Sequence, residues 1–466
     1  MEILDTLVNR EITLIGASPQ KPIAHQWKLV IKANGKDIQP TYIKEVKLDR
    51  LYHRNYADEV RVTLGINFAD YQYNVLPYKD KLEGVLTKIP LGASVEPNVT
   101  HTRSRLTNTY KIQLQNANST AVAGDHPMTL AKDMAGKSEI VDIVVQLYNP
   151  VIDVIRKRTF GTVFRETSAL DAVAYTLVKH AKIEGADESN TILGINIDPT
   201  FVPEVRKHII VKHDTPVVEI PDLIDRQVGG LYPAQMRYYL QSQYWYLYPI
   251  FDHQRFNQNV KSLTIIKIPK HRLPSVEKTY RVAGEHVILL TTRETTHQDS
   301  SETLQMNEGN GVRFADANRV MNGYYEVGDN KAIASGKDNL TEVKYETRGD
   351  ELDMIKSAHS TVTDKYNKEY ANLARKSGSY LQTIWEHGDA ELLFPGMPIR
   401  YIFQDGEVTR ELYGTLNAVE TLDYNTNNTI TNPRFTTMIL LTCFISRLSP
   451  LRKDVKGSTV SKTTTT

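Results

Sequence analysis

A two-residue period recurs near both ends of this chain, and it confines much of the fold to sheet. Val60, Val62, Leu64, Ile66 and Phe68 alternate with Arg61, Thr63, Gly65 and Asn67. Successive side chains of a strand point to opposite faces, so this spacing buries one face and wets the other. Val46 and Leu48, set between Lys47 and Asp49, place a partner strand just upstream. Tyr110, Ile112 and Leu114 repeat the pattern, as do Val141, Ile143, Val145 and Leu147. Asn34-Gly35 after Leu29-Val30-Ile31 is a hairpin signal, because both residues accept the positive φ of a tight turn. Near the other end the rhythm returns in Ile399, Tyr401 and Phe403, then in Leu412, Gly414, Leu416 and Ala418. Asp405-Gly406 supplies the turn between them, and a last strand is predicted over residues 436–446.

Between these blocks the period changes. Leu170, Val173, Leu177 and Ala181 make an apolar helical stripe, with Ser168 and Asp171 as a capping signal and Gly185 as a stop. A second short helix starts near Pro221, with Leu223, Ile224 and Val228 inward, and ends at Gly229-Gly230. Leu263 to Ile268 and Val287 to Leu290 read as strands, and residues 292–350 as a polar insertion. Leu352, Ile355, Val362, Tyr366, Tyr370 and Leu373 recur at helical spacing, so a long helix is predicted over residues 351–386. The expected fold is α+β, with two small antiparallel, tube-like β-barrels joined by a mixed α/β region and that helix. The expected borders are residues 1–150 and 151–260, then 261–350, 351–386 and 387–450, with a flexible tail at 451–466.

Composition removes several functional classes. The 466 residues carry 56 lysines and arginines against 55 aspartates and glutamates, so no global pull toward nucleic acid or an anionic membrane exists. Cys443 is the one cysteine, which excludes an internal disulfide framework and points to a reducing compartment. Its apolar surroundings read as a small buried hydrophobe rather than a catalytic thiol. No apolar run reaches the roughly 20 residues that a spanning helix needs. Glu2, Asp5, Asn9, Arg10 and Glu11 break any signal-peptide pattern.

Chemistry is sparse. His208 and His213 lie five apart in a predicted strand, on opposite faces, which argues against a shared metal. His297-Gln298-Asp299 offers too few ligands, and Gly309-Asn310-Gly311 lacks the strand and helix of a phosphate loop. Asp222 with Asp225, or Asp389 with Glu391, could be paired as glycosidase carboxylates, but such spacing is commonest in helix caps and solvated faces. No catalytic, cofactor-binding or metal residue is assigned. The one binding hypothesis concerns the aromatic run 238–251, in which Tyr244, Trp245, Tyr246, Tyr248 and Phe251 are candidates for a protein interface. Core packing and ligand stacking are the competing readings, and only Arg237 and Arg255 flank the run as cations.

The order of these elements resembles the central hub proteins of contractile phage-tail baseplates. Three places carry the resemblance. Val46-Lys47-Leu48-Asp49-Arg50 through Val60–Phe68 to Leu82-Glu83-Gly84-Val85-Leu86 looks like the opening barrel of a hub. Ile220-Pro221-Asp222-Leu223-Ile224-Asp225 leading to Tyr246-Leu247-Tyr248-Pro249-Ile250-Phe251-Asp252 is the second place. Leu393-Phe394-Pro395-Gly396-Met397-Pro398-Ile399-Arg400, followed by Gly414-Thr415-Leu416-Asn417-Ala418-Val419-Glu420, looks like the closing barrel. The polar insertion and the long helix depart from that pattern. The resemblance implies a non-enzymatic homotrimeric ring in the virion tail baseplate, assembled in the host cytoplasm. It also implies tail-tube, spike and baseplate wedge proteins as partners, without a membrane anchor, cofactor or sequence-specific nucleic acid. The alternatives are another tail or neck structural protein, or a cell-wall-degrading baseplate enzyme.

Overall fold

The alternating segments become strands whose register closes on itself. The computed structural model describes residues 2–17, 24–91, 106–115, 140–183, 190–198, 205–228, 231–232, 236–251, 255–258, 261–275, 279–297, 378–405, 408–425 and 433–446. Most of these lie in sheet, with a few helices.

The first half supplies β1 (His25–Ala33), β2 (Lys36–Ile38), β3 (Tyr42–Arg50), β4 (Glu59–Asn67), β5 (Glu83–Pro90), β6 (Leu106–Gln115) and β7 (Ile140–Tyr148). Asn34 and Gly35, both at positive φ, turn β1 into β2 as the sequence predicts. All pairs along β3, β4, β7, β6, β5 and β1 are antiparallel. Two strands from the far end complete the path, β19 (Val408–Asn425) and β20 (Phe435–Ser446). β1 meets β20 at His25↔Phe435, β20 pairs with β19, and β19 pairs with β3 from Arg50↔Val419 to Glu45↔Tyr424. Eight strands thus form one closed circuit. Leu29, Ile31, Val62, Leu64, Ile66, Val145, Leu147 and Phe435 cluster as its buried core.

The same two long strands begin a second circuit. β13 (Ser262–Lys267), β14 (Tyr280–Ala283), β15 (His286–Thr291), β16 (Glu294–His297), β17 (Gly378–Glu386) and β18 (Pro398–Asp405) belong to it. From β15 the path runs through β13, β18, β19, β20 and β17 to β16. β16 continues β15 past a two-residue bend, where the Thr383 hydroxyl of β17 donates to the Arg293 carbonyl at 2.9 Å. Leu263, Ile265, Leu289, Leu381, Trp385, Ile399, Leu416, Leu441 and Cys443 share its core.

Two expectations are corrected here. The second circuit is not antiparallel throughout, because β13 runs parallel to both β15 and β18. The long crossover after β13 brings the chain back to the end it started from, and alternation carries no information on strand direction. Helix α1 (Glu2–Ala17) covers the outer side, where Val8 and Ile15 meet Ile266, Leu290 and Ile402. Both faces of β13 are therefore buried, and Ser262 to Ile266 are buried in unbroken succession rather than in alternation. The second correction concerns residues 378–386, which form β17 rather than the end of a helix. Leu381, Thr383 and Trp385 are buried at two-residue spacing there. The positions that suggested a helix, Leu352 to Leu373, lie outside the described residues.

The mixed region holds helices α2 (Pro150–Lys157), α3 (Ala169–Tyr175) and α4 (Ile220–Val228). It also holds a ribbon of β8 (Thr159–Ser168) with β10 (Val205–Pro216), and a small sheet of β9 (Gly194–Ile197), β12 (Tyr244–Pro249) and β11 (Met236–Gln241). The predicted cap of α3 is present, as Ser168 Oγ accepts from Asp171 N at 3.0 Å. Ile155, Val173, Leu177, Ile209, Ile224, Tyr238, Trp245 and Leu247 form a third core.

Candidate functional site

The three cores meet at one buried polar junction. The segment between β3 and β4 brings Tyr52 and Asp58, with Arg50 at the end of β3. The hairpin β11–β12 brings Tyr239, Gln241 and Tyr248, and the segment between β17 and β18 brings Ala390, Glu391, Leu393 and Gly396. Arg50, 3% exposed, is the hub of the network. Its Nε lies 3.1 Å from Asp58, its Nη2 2.8 Å from Glu391, and its Nη1 donates to the Ala390 carbonyl at 2.8 Å. Tyr239 donates to the other Asp58 oxygen at 3.0 Å. Tyr52 donates to Gln241 Oε1 at 3.1 Å, and Gln241 Nε2 donates to the Leu393 carbonyl at 2.8 Å. Tyr248 closes the set by donating to the Tyr52 carbonyl at 2.8 Å. Tyr52 and Tyr239 pack edge to face, 4.9 Å between centroids. A neighbouring ion pair, Arg255 with Asp198, is tied to the Gly396 carbonyl through the same guanidinium.

Charge and burial oppose each other here. Burial works against the Arg50 cation, yet Asp58 and Glu391 hold it well above its ordinary value. Burial pushes the Asp58 carboxyl up despite the pull of Arg50. Such a set holds together only while every member keeps its partners, so it fixes the position of three segments at once. Beside it lies a cavity of about 220 Å³ lined by Asp198, Tyr246, Tyr248, Lys261 and Phe394.

The sequence candidates fall on and around this junction. The aromatic run folds as a hairpin, turning at Ser242 and Gln243, both at positive φ. Trp245 points into the mixed core and Tyr248 into the second-circuit core. Phe251 is buried against Phe444, with centroids 5.0 Å apart. Tyr246 is half-buried and stacked on Phe394, and Tyr244 is 43% exposed. The run thus joins two cores within the chain and leaves Tyr244 and part of Tyr246 at the surface. Of the carboxylate pairs, Asp389 caps the turn after it through Glu391 N at 3.0 Å, while Glu391 binds Arg50. Asp222 accepts from Tyr238 at 3.2 Å and Asp225 from Leu231 N at 2.7 Å. His208 is exposed on β10, and His213 sits 2.8 Å from Asp214. Cys443 is fully buried, and burial pushes its thiol up. The side chains of His297-Gln298-Asp299, and Gly309 to Gly311, lie outside the described residues. Among the described residues no group of three or more metal-ligating side chains exists, and no helix is long and apolar enough to cross a membrane.

Sequence reasoning missed a second polar cluster, at the seam of the first circuit. Asp423 on β19, 2% exposed, lies 3.0 Å from His25 Nε2 and accepts from Trp27 Nε1 at 2.8 Å. Lys88 Nζ stands 3.9 Å away. Burial raises this carboxyl, but the His25 hydrogen bond and the Lys88 charge bring it below the usual carboxylate range. These residues are hundreds of positions apart, so no local motif announces them.

No protein-family model and no curated protein matches the chain. Among solved structures it is similar to a tail protein from Neisseria meningitidis MC58, at 10% identity over 90% of this chain and 96% of that one, with a TM-score of 0.44. It is also similar to the 43 kDa tail protein of prophage MuSo2 from Shewanella oneidensis, at 9% identity over 89% and 97%, TM-score 0.42. A type VI secretion system component from E. coli, itself described as similar to T4 tail proteins, follows at 8% identity over 89% and 76%, TM-score 0.38.

Proposed function

We propose that this chain is a structural, non-enzymatic component of a phage-tail baseplate, and specifically its central hub. Three copies form a ring, and each copy contributes two tube-like barrels. The ring then offers six similar surfaces on one side to a hexameric tail tube and a threefold surface on the other to a spike. It works as a symmetry adaptor and passes on the advance of tube and spike during injection, in contact with wedge proteins. One observation carries the reading: a circuit closed by pairing, and a second path completed by the bend between β15 and β16, are built on a single pair of long strands, β19 and β20. The segments of the hub resemblance fit that plan, since β3 to β5 lie in the first circuit and β18 and β19 in the second. Exposed Tyr244 and half-buried Tyr246 are assigned to contacts between subunits or with a partner. Light scattering of the purified chain, alone and mixed with tube and spike proteins, should return a trimeric mass, and imaging should show a ring with a central hole. Monomers in every mixture would overturn the proposal.

A further inference from the structure

The ribbon of β8 and β10 has one face that the fold does not explain. Its register pairs Arg165 with His208, Phe164 with Ile209, Val163 with Ile210 and Thr162 with Val211. Phe164, Ile209 and Val211 turn inward to the mixed core. The other face should be polar, yet Val163 and Ile210 stand directly opposite each other there at 46% and 55% exposure. Arg165, His208 and Lys212 share this face, two residues along each strand, and all are exposed. Neither Arg165 nor Lys212 has a carboxylate partner among the described residues.

Backbone hydrogen bonding decides which edge of the ribbon is open. On the β10 side the Gln227 side chain accepts from Ile210 N at 3.2 Å and also donates to the Ile210 carbonyl, as a neighbouring strand would. Ile210 therefore turns its peptide groups away from β8, so Ile210 and Val163 are a non-hydrogen-bonded pair. In such a pair the N–H and C=O of Val163 also point away from its partner, toward the outer side of β8. The Arg165 N–H faces the same way, while its carbonyl accepts from the Thr167 hydroxyl at 2.7 Å. Among the described residues no strand pairs with this side. Glu166 and Asp214, at φ of 47° and 64°, kink the strands and bound the regular stretch.

We propose that the outer edge of β8 is a docking edge for an extended, acidic segment of a partner protein, added as a third strand. Val163 would fix the register through its N–H and C=O. An apolar residue opposite Val163 would lengthen the Val163–Ile210 stripe, and a carboxylate two positions away would meet Arg165, whose cross-strand neighbour is His208. A basic strand is disfavoured because like charges directly opposite repel. The chain's own C-terminal stretch, with Arg452, Lys453, Lys456 and Lys462, carries the wrong sign. The proposal goes beyond the hub reading and does not depend on it.

The probe is a nine-residue peptide alternating threonine on one face with valine and glutamate on the other, alongside its lysine counterpart. Hydrogen exchange is followed by NMR or fragment mass on the full chain. The glutamate peptide should slow exchange of the Val163 and Arg165 amides at least about tenfold, with the lysine peptide inert, because strand addition hydrogen-bonds those amides. Arg165→Glu should reverse that preference. Val163→Pro should abolish protection while leaving the ribbon intact, since proline is tolerated where the N–H faces outward. Equal protection by both peptides, protection confined to β10, or none at all would overturn the proposal, whatever the oligomeric mass.

Discussion

Replacing Arg50 by methionine tests whether the junction couples the three cores. The substitution keeps an unbranched apolar stem, deletes the guanidinium and removes three hydrogen bonds, to Asp58, Glu391 and the Ala390 carbonyl. Removing one partner of a buried ionic set costs about 3–5 kcal/mol. The side chains of Asp58 and Glu391 keep 19% and 22% exposure, so water relieves part of the loss and the expected cost is at the low end, about 3 kcal/mol. That is a large share of the roughly 5–15 kcal/mol that holds a typical domain. The three tryptophans make the assay local: Trp27 packs on the first-circuit core, Trp245 in the mixed core and Trp385 in the second-circuit core. Urea unfolding of single-tryptophan variants should give coincident transitions in the parent. In Arg50→Met every midpoint should fall, and the transitions should separate. The sign of the pH dependence follows from Asp58. Its folded value is raised, so the folded state holds the extra proton and stability falls as pH rises through and above about 4. Without Arg50 that slope steepens, so the deficit of the variant should grow from pH 4.5 to pH 7.5. A loss below about 1 kcal/mol, or an equal deficit at both pH values, would refute the coupling, since breaking a buried pair costs several times more.

Asp423→Asn should cost about 1–3 kcal/mol through its bonds to His25 and Trp27, and exchange should quicken first in β1. Because the Asp423 carboxyl is lowered in the fold, its contribution is present above its unfolded value of about 3.9 and lost as pH falls through the lower folded value, so the variant should flatten the acid limb of a stability–pH curve. Gly414→Ala puts a methyl 1.7 Å from the Phe444 carbonyl oxygen, and a melting scan should show both circuits destabilised by about 1–3 kcal/mol or more. Gln243→Gly relieves a φ of 71° in the aromatic hairpin and should leave stability unchanged or raise it by up to about 1 kcal/mol in chemical denaturation.

Much of the sheet was legible because apolar residues recur at every second position along its strands. Val60 to Ile66 and Leu412 to Ala418 alternate in sequence and lie in β4 and β19. The turn at Asn34-Gly35 and the cap at Ser168 were legible because each is chemistry within four residues. The turn at Ser242-Gln243 was hidden, since neither residue advertises positive φ. Strand direction at β13 and the identity of β17 depend on what packs around them, which a local period cannot report. The candidate aromatics were visible as a cluster, but their division between two cores follows from the hairpin register Tyr239↔Tyr246. Arg50 and Asp423 were invisible as sites because Ala390 and Glu391 stand hundreds of residues from Arg50, as His25 does from Asp423.

The strands common to both circuits also set the timetable of synthesis. β7 leaves the ribosome about 260 residues before β19 begins. At synthesis rates of about 5–20 residues per second, that is a wait of roughly 13–50 seconds. During it the nascent N-terminal meander has two unsatisfied margins, β1 and β3, and no means of closing them. Neither lobe can finish before β20 emerges, and then both can finish together. A fragment stopped short of β19 should therefore be an aggregating half rather than a smaller working unit.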